Sequence, residues 1–192
     1  MPDSFMKPVE STEAQDIIGL DKLSFAYGQP AISAKLKQEY QDFLVDEQLG
    51  FEFSGQGEHL CVQVEKIDHS TVDVAKKLSE VSGVGRSAIG YAGMKDRRAR
   101  TRQWFSLKLP SESEARLEAF ESTSLHIVES IRNSRKIKIG SHKSNHFTIR
   151  LRDCRGTKSE FEERLKNIQS HGVPNYFGAQ RFGRDMSNLS QV

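Results

Sequence analysis

His59-Leu-Cys-Val-Gln-Val-Glu-Lys-Ile67, followed by Thr71-Val-Asp-Val-Ala-Lys-Lys-Leu-Ser-Glu-Val-Ser82 and then Gly83, is the stretch on which the fold reading turns. Its first nine residues alternate and cluster apolar β-formers, which predicts a strand. Helical spacing then takes over, with Val74, Ala75, Leu78 and Val81 on one face. Ser70 or Thr71 can cap the start, and Gly83 stands just past the end, where a left-handed residue closes a helix. A strand running into an amphipathic helix predicts a sheet with helices packed on it.

The same alternation extends both ways. Phe43–Glu47 reads as a strand, joined to the next by a turn over Gly50–Gly57. Ser87–Tyr91 reads as a short strand that delivers Asp96 on the loop behind it. In Arg102–Leu109, Phe105, Leu107 and Leu109 face one way and Arg102, Trp104, Ser106 and Lys108 the other. Glu112–Phe120 is a predicted helix, followed by strands at Leu125–Ile131, Lys136–Ile139 and His146–Arg152. The last sets a core face of Phe147, Ile149 and Leu151 against a basic face of His146, Thr148, Arg150 and Arg152. Thr157-Lys-Ser-Glu160 is a capping box opening a helix with Phe161, Leu165 and Ile168 inward. The first twenty residues show no period and read as a flexible lead-in. This order predicts an α+β fold: a mixed, largely antiparallel sheet with helices packed on it.

The 192 residues suffice for one ordinary domain with a real core. No apolar run approaches the ~18 residues of a membrane span, and the first residues hold no signal segment. Cys61 and Cys154 are isolated, and the six histidines lack ligand spacing. A soluble cytoplasmic protein with no structural metal is expected. The net charge of +2 hides an asymmetry: residues 1–94 carry 8 Lys/Arg against 15 Asp/Glu, and residues 95–192 carry 20 against 11. The excess lies in residues 95–108 and 132–158, the second with nine Lys/Arg and only Asp153 as an acid. Two such stretches make either a nucleic-acid footprint or an ordinary basic surface.

The first basic stretch contains the most suggestive chemistry. In Gly90-Tyr-Ala-Gly-Met-Lys-Asp-Arg-Arg-Ala-Arg-Thr-Arg-Gln-Trp104, the cations Lys95, Arg97, Arg98, Arg100 and Arg102 crowd one carboxylate, Asp96. By itself this reads as a charged, solvated turn, or as an anion cradle holding a nucleophile or base. Trp104 is a half-buried strand tryptophan or a stacking platform. Pattern alone makes Lys37 a surface lysine, Asn145 a turn residue and Phe147 a core residue.

Four segments together resemble the TruD family of tRNA pseudouridine synthases. They are Leu36-Lys37 with Asp42-Phe43 and Glu47, Ala92-Gly-Met-Lys-Asp-Arg97, Asn145-His-Phe147, and Gly172-Val-Pro-Asn-Tyr-Phe-Gly-Ala-Gln-Arg-Phe-Gly183. Met94 departs from the family, which usually carries a polar residue there. The resemblance implies isomerisation of uridine 13 of tRNA to pseudouridine, with a pseudouridine-synthase-like catalytic domain and no cofactor. It implies Asp96 as the catalytic carboxylate, Lys37 as the cation that orients it, Phe147 as the ring that stacks on the uracil, and Asn145 beside it. Whether the acid adds to the sugar, adds to the base or removes a sugar proton stays open. Lys95, Arg97, Arg98, Arg100 and Arg102 are then candidates for tRNA phosphates, and His142 and His146 for surface or RNA contacts.

The resemblance also implies that residues 1–172 are the N-terminal part of the catalytic domain and 173–192 the entry into an inserted domain. The chain then reads as a fragment, incomplete at its C-terminus, of an enzyme that is a monomer when full length. Two other classes fit the composition: an RNA-binding module without catalysis, and a protein-interaction domain with a basic surface.

Overall fold

In the computed structural model the described residues are 24–30, 32–109 and 117–175. They fall into two compact units, Leu36–Leu151 and the described parts of Met1–Lys35 with Arg152–Val192.

The larger unit is built on β3 (His59–Ile67) and β5 (Arg100–Lys108), paired antiparallel from His59–Lys108 to Ile67–Arg100. On the other side of β3 runs β6 (Leu125–Asn133), also antiparallel. β2 (Phe43–Leu49) lies parallel to β5 along Leu44–Asp46, and β7 (His142–Ile149) is antiparallel to β2 at the edge. The sheet order is therefore β6-β3-β5-β2-β7, and the two-residue β4 (Gly90–Tyr91) pairs with β5. One parallel pair among antiparallel ones makes this the expected mixed α+β sheet.

α1 (Thr71–Ser82) begins and ends as its sequence predicts. Ser70 caps it, accepting from the Asp73 amide, and Gly83 closes it at φ +75. Val74, Ala75 and Leu78 pack on Leu60, Val62, Val64, Phe105 and Leu107 to form the main core. The opposite sheet face carries a smaller cluster of Cys61, Ala92, Trp104 and Ile137. Burial pushes the Cys61 thiol up to about 12.

Trp104 corrects the one-faced reading of its strand. It is buried and tilted against Phe53, their centroids 4.5 Å apart, because the β2–β3 connection covers that face. Lys136–Ile139 is not a strand. The Ile137 amide donates to Ser106 Oγ at 2.9 Å, and a turn at Ile139–Gly140 follows, so only Ile137 reaches the core. Ser87–Tyr91 is a 3-10 turn at Arg86–Ala88 before β4.

The strand expected at His146–Arg152 is instead β7, and the chain leaves it when the Arg150 amide donates to Asp42 O at 2.8 Å. Phe147, Ile149 and Leu151 are exposed among the described residues, since β7 is the sheet's edge. Of the helix expected at Glu112–Phe120, residues 112–116 lie outside the described set and Leu117–Phe120 is a single 3-10 turn.

In the smaller unit, β1 (Ser33–Lys35) and β8 (Arg152–Arg155) form an antiparallel ribbon joined by a Lys35–Asp153 ion pair. α2 (Lys158–His171) opens on the expected Thr157 capping box. Arg164 ties it to the chain by donating to Gly28 O at 3.0 Å and Gln29 O at 2.7 Å. Its apolar residues Phe161 and Leu165 are exposed among the described residues, which corrects their inward reading. The lead-in expected over the first twenty residues and most of the Gly172–Gly183 segment lie outside the described residues.

Candidate active site

One edge of β5 is flanked by two strands placed end to end: β2 beside Arg100–Arg102 and β4 beside Phe105–Ser106. Residues 92–99 join β4 to β5 where one neighbour gives way to the other, and they carry Asp96. A loop of this length would sample many conformations if it were free. Here each successive group is tied down. The Gly140 amide donates to Ala92 O at 2.7 Å, and Gln103 Nε2 donates to Gly93 O. The Lys95 amide donates to Thr71 Oγ1 at 2.9 Å, and that hydroxyl donates to Gln103 Oε1 at 2.9 Å.

Two buried charges complete the clamp. Lys95 Nζ lies 2.6 Å from Glu47 Oε2, with the Glu47 side chain fully buried and that of Lys95 nearly so. Glu47 Oε1 also accepts from the Trp104 amide at 3.1 Å. Lys66, wholly buried in β3, donates from Nζ to Asp96 O at 2.8 Å and to His69 O at 2.7 Å. Burial pulls the Lys66 ammonium down to about 8, against the opposing pull of the Asp96 charge.

The Asp96 side chain points into a partly open setting. Its Oδ2 accepts from Lys37 Nζ at 2.9 Å, while Oδ1 has no hydrogen-bond partner among the described residues. Lys37 adopts φ +53, a conformation that costs a side-chain-bearing residue about 1–2 kcal/mol. The Lys37 ammonium also sits 3.8 Å from the centroid of the Phe43 ring. Phe43 in turn meets Phe147 edge to face, centroids 5.8 Å apart. Asp96, Lys37, Phe43 and Phe147 thus form a continuous row from the acid to a half-exposed ring. Asn145 stands opposite Glu47 in the β2–β7 register, and its buried Oδ1 has no partner among the described residues. His142 Nδ1 lies 3.3 Å from Ala92 O, behind the loop, and His146 is exposed.

The expectation that five cations crowd Asp96 is corrected. Lys95 is committed to Glu47, and Arg97 pairs with Asp68 at 3.0 Å. Arg100 and Arg102 share Glu65 at 2.8 and 3.0 Å. Burial raises the Glu65 carboxyl, but the hydrogen bonds from those two arginines outweigh it and hold the group below its ordinary value. Arg98 alone of the five has no ion pair among the described residues, and Arg135, Lys138, Lys143 and Arg150 of the second basic stretch likewise have none. Acids spread over β2, β3 and the β3–α1 turn supply these partners, which local sequence does not reveal.

Lys66, Thr71 and Gln103 are the site residues that sequence reading missed. A signal was present: Lys66 keeps the inward phase of Leu60, Val62 and Val64, and Gln103 that of Phe105 and Leu107. A polar side chain in phase with a core must find a buried partner.

No described helix is long and apolar enough to cross a membrane. Among the described residues no group of three His, Cys, Asp or Glu could hold a metal.

Comparison with known proteins agrees with this fold. The family model described as tRNA pseudouridine synthase D (TruD) matches residues 19–192. The tRNA pseudouridine synthase D of Pseudomonas fluorescens is 46% identical over 85% of this chain and 47% of its own length. That of Hydrogenovibrio crunogenus is 42% identical over 91% of this chain and 51% of its own. A crystal structure of a Methanosarcina mazei protein described as a candidate tRNA pseudouridine synthase D superposes with a TM-score of 0.74. It is 30% identical and covers 92% of this chain and 40% of that one. This chain spans about half the length of the curated relatives it matches. On the family match and these likenesses, the chain belongs to the TruD family of tRNA pseudouridine synthases.

Proposed function

We propose that the complete protein isomerises uridine 13 of tRNA to pseudouridine, with Asp96 as the reacting carboxylate. The observation that carries this is the row from the open Oδ1 of Asp96 through Lys37 and Phe43 to Phe147. The reaction breaks the N1–C1′ bond, turns the uracil, joins C5 to C1′ and releases the C5 proton while N1 takes one up. It needs a fixed carboxylate, a wall that retains the freed base and no redox step. Lys37 grips Oδ2 and leaves Oδ1 to face the substrate. Phe147, half exposed, offers its face to the base, a contact worth about 1–3 kcal/mol. That contact offsets part of the few kcal/mol needed to draw a uridine out of its stack. Asn145, two residues before Phe147 on the same face of β7, is the second residue placed to meet the base.

In this reading Arg98, free of any acid among the described residues, meets a tRNA phosphate. Arg97, Arg100 and Arg102 contribute from their shared pairs, and Lys95 serves the loop. Residues 173–192 lead into the inserted domain, and the complete enzyme works as a cytoplasmic monomer. The test is to incubate unmodified tRNA with the complete protein and map pseudouridine by carbodiimide adducts and primer extension. A single new stop at position 13, absent when that uridine is replaced by cytidine, is expected. Binding without any stop would instead favour an RNA-binding module.

A further inference from the structure

We propose that Lys66 is a positioning residue for the reaction: it fixes the main chain of Asp96 while Lys37 fixes its side chain. The inference rests on the reading of Asp96 as the reacting carboxylate.

Lys66 projects from the middle layer of the sheet, in phase with Leu60, Val62 and Val64, and no part of it reaches solvent. A leucine or methionine there would extend the apolar core, whereas a buried ammonium must replace its whole hydration shell. Its position on β3 opposite Thr101 of β5 and Leu125 of β6 brings Nζ to two carbonyls, Asp96 O and His69 O. His69 precedes α1, whose first residue, Thr71, accepts from the Lys95 amide. Lys66 therefore joins the Asp96 loop, residues 92–99, to the β3–α1 turn.

Fixing the Asp96 carbonyl restrains rotation of the peptide that follows the acid. Lys95, on the other side, is restrained through its own amide and ammonium. The backbone on both sides of Asp96 is thus held by buried groups, and among the described residues the side chain is left one hydrogen-bond partner, Lys37. A reacting atom displaced by about 1 Å can lose roughly 100-fold in rate, so a device of this kind acts on turnover rather than on tRNA affinity. The charged groups facing the Lys66 ammonium are Asp96 and Lys95 of the loop and Asp73 of α1.

The experiment compares Lys66→Met with Val64→Ala in the complete protein. Val64 is equally buried on the same face of the same strand and touches none of the loop contacts described above. Single-turnover rates and tRNA affinities are measured below the melting point of each variant. Lys66→Met is expected to lower the single-turnover rate about 100-fold with tRNA affinity within about two-fold, while Val64→Ala keeps that rate within about two-fold. A loss of less than ten-fold in Lys66→Met, or an equal loss in Val64→Ala, overturns the inference.

If Lys66→Met does not fold, NMR of the unaltered protein decides: the Lys66 ammonium should show a through-hydrogen-bond coupling from 15Nζ to the Asp96 carbonyl carbon, and no coupling overturns the inference. Should the unsubstituted protein show no turnover at all, the proposed reaction fails, not the placement of Lys66.

Discussion

Replacing Glu47 by Gln probes the charge that anchors the Asp96 loop. The Glu47 carboxylate is fully buried, 2.6 Å from a Lys95 ammonium that is itself nearly excluded from solvent. Glutamine keeps the volume and an oxygen for the Trp104 amide, but leaves the ammonium without a counter-charge. Removing one partner of a buried pair costs about 3–5 kcal/mol, far above the ~0–1 kcal/mol of an exposed pair. At about 2–4 °C per kcal/mol for a chain of this size, the melting temperature should fall by about 6–20 °C. Lys95→Met should cost a similar amount, and the double variant should recover much of the loss, because no unpaired charge remains. Thermal melts by circular dichroism on the four proteins close the cycle. A loss below about 1 kcal/mol in either single variant, or a double variant equal to the sum of the two, would refute the reasoning.

Three further expectations follow from particular residues. Lys37→Gly relieves the φ +53 strain, so stability should hold or rise by about 1 kcal/mol in melts while turnover falls at least about ten-fold; a retained rate would remove Lys37 from the site. Gly90→Ala places a methyl 2.1 Å from Ile137 O and 2.7 Å from Ser106 Oγ, and overpacking against backbone should cost about 3 kcal/mol in denaturant unfolding, a neutral result showing that the Ile137 segment moves freely. Glu65 is held below its ordinary value, so its contribution is complete above the unfolded value near pH 4.5 and is lost as pH falls through the folded one; Glu65→Gln should flatten that acid limb, and an unaltered limb would mean that the Arg100–Glu65–Arg102 fork contributes nothing.

Sequence periodicity reveals the central layer because strands and helices there are buried on defined faces. β3, α1 and β5 follow their apolar phase, and both helix caps sit where Ser70 and Thr157 place them. The same rule misleads at the rim. Phe147, Ile149 and Leu151 alternate like core residues, yet β7 is an edge strand and they face outward among the described residues. Alternation reports which residues share a face, but not whether anything covers it. The candidate site residues were legible as motifs, Lys37 in one segment, Asp96 in a second, and Asn145 with Phe147 in a third. What binds the Asp96 loop was not legible as a motif. Lys66, Thr71 and Gln103 reach it from two strands and a helix distant in sequence, so only the register of β3 and β5 and the place of α1 bring their polar groups together. The arginines show the same limit, because counting charges along the chain cannot count the acids across the sheet.

The central claim is that Asp96 reacts with the target nucleotide, and tritium release from C5-tritiated uridine in tRNA tests it most directly. C5 must shed its hydrogen when it bonds to C1′, so the label counts completed isomerisations. The complete protein should release tritium stoichiometrically with pseudouridine formed at position 13. Asp96→Asn should release none while binding tRNA with nearly the same affinity, since phosphate contacts dominate binding. Equal release by the two proteins would contradict the account and remove Asp96 from the mechanism.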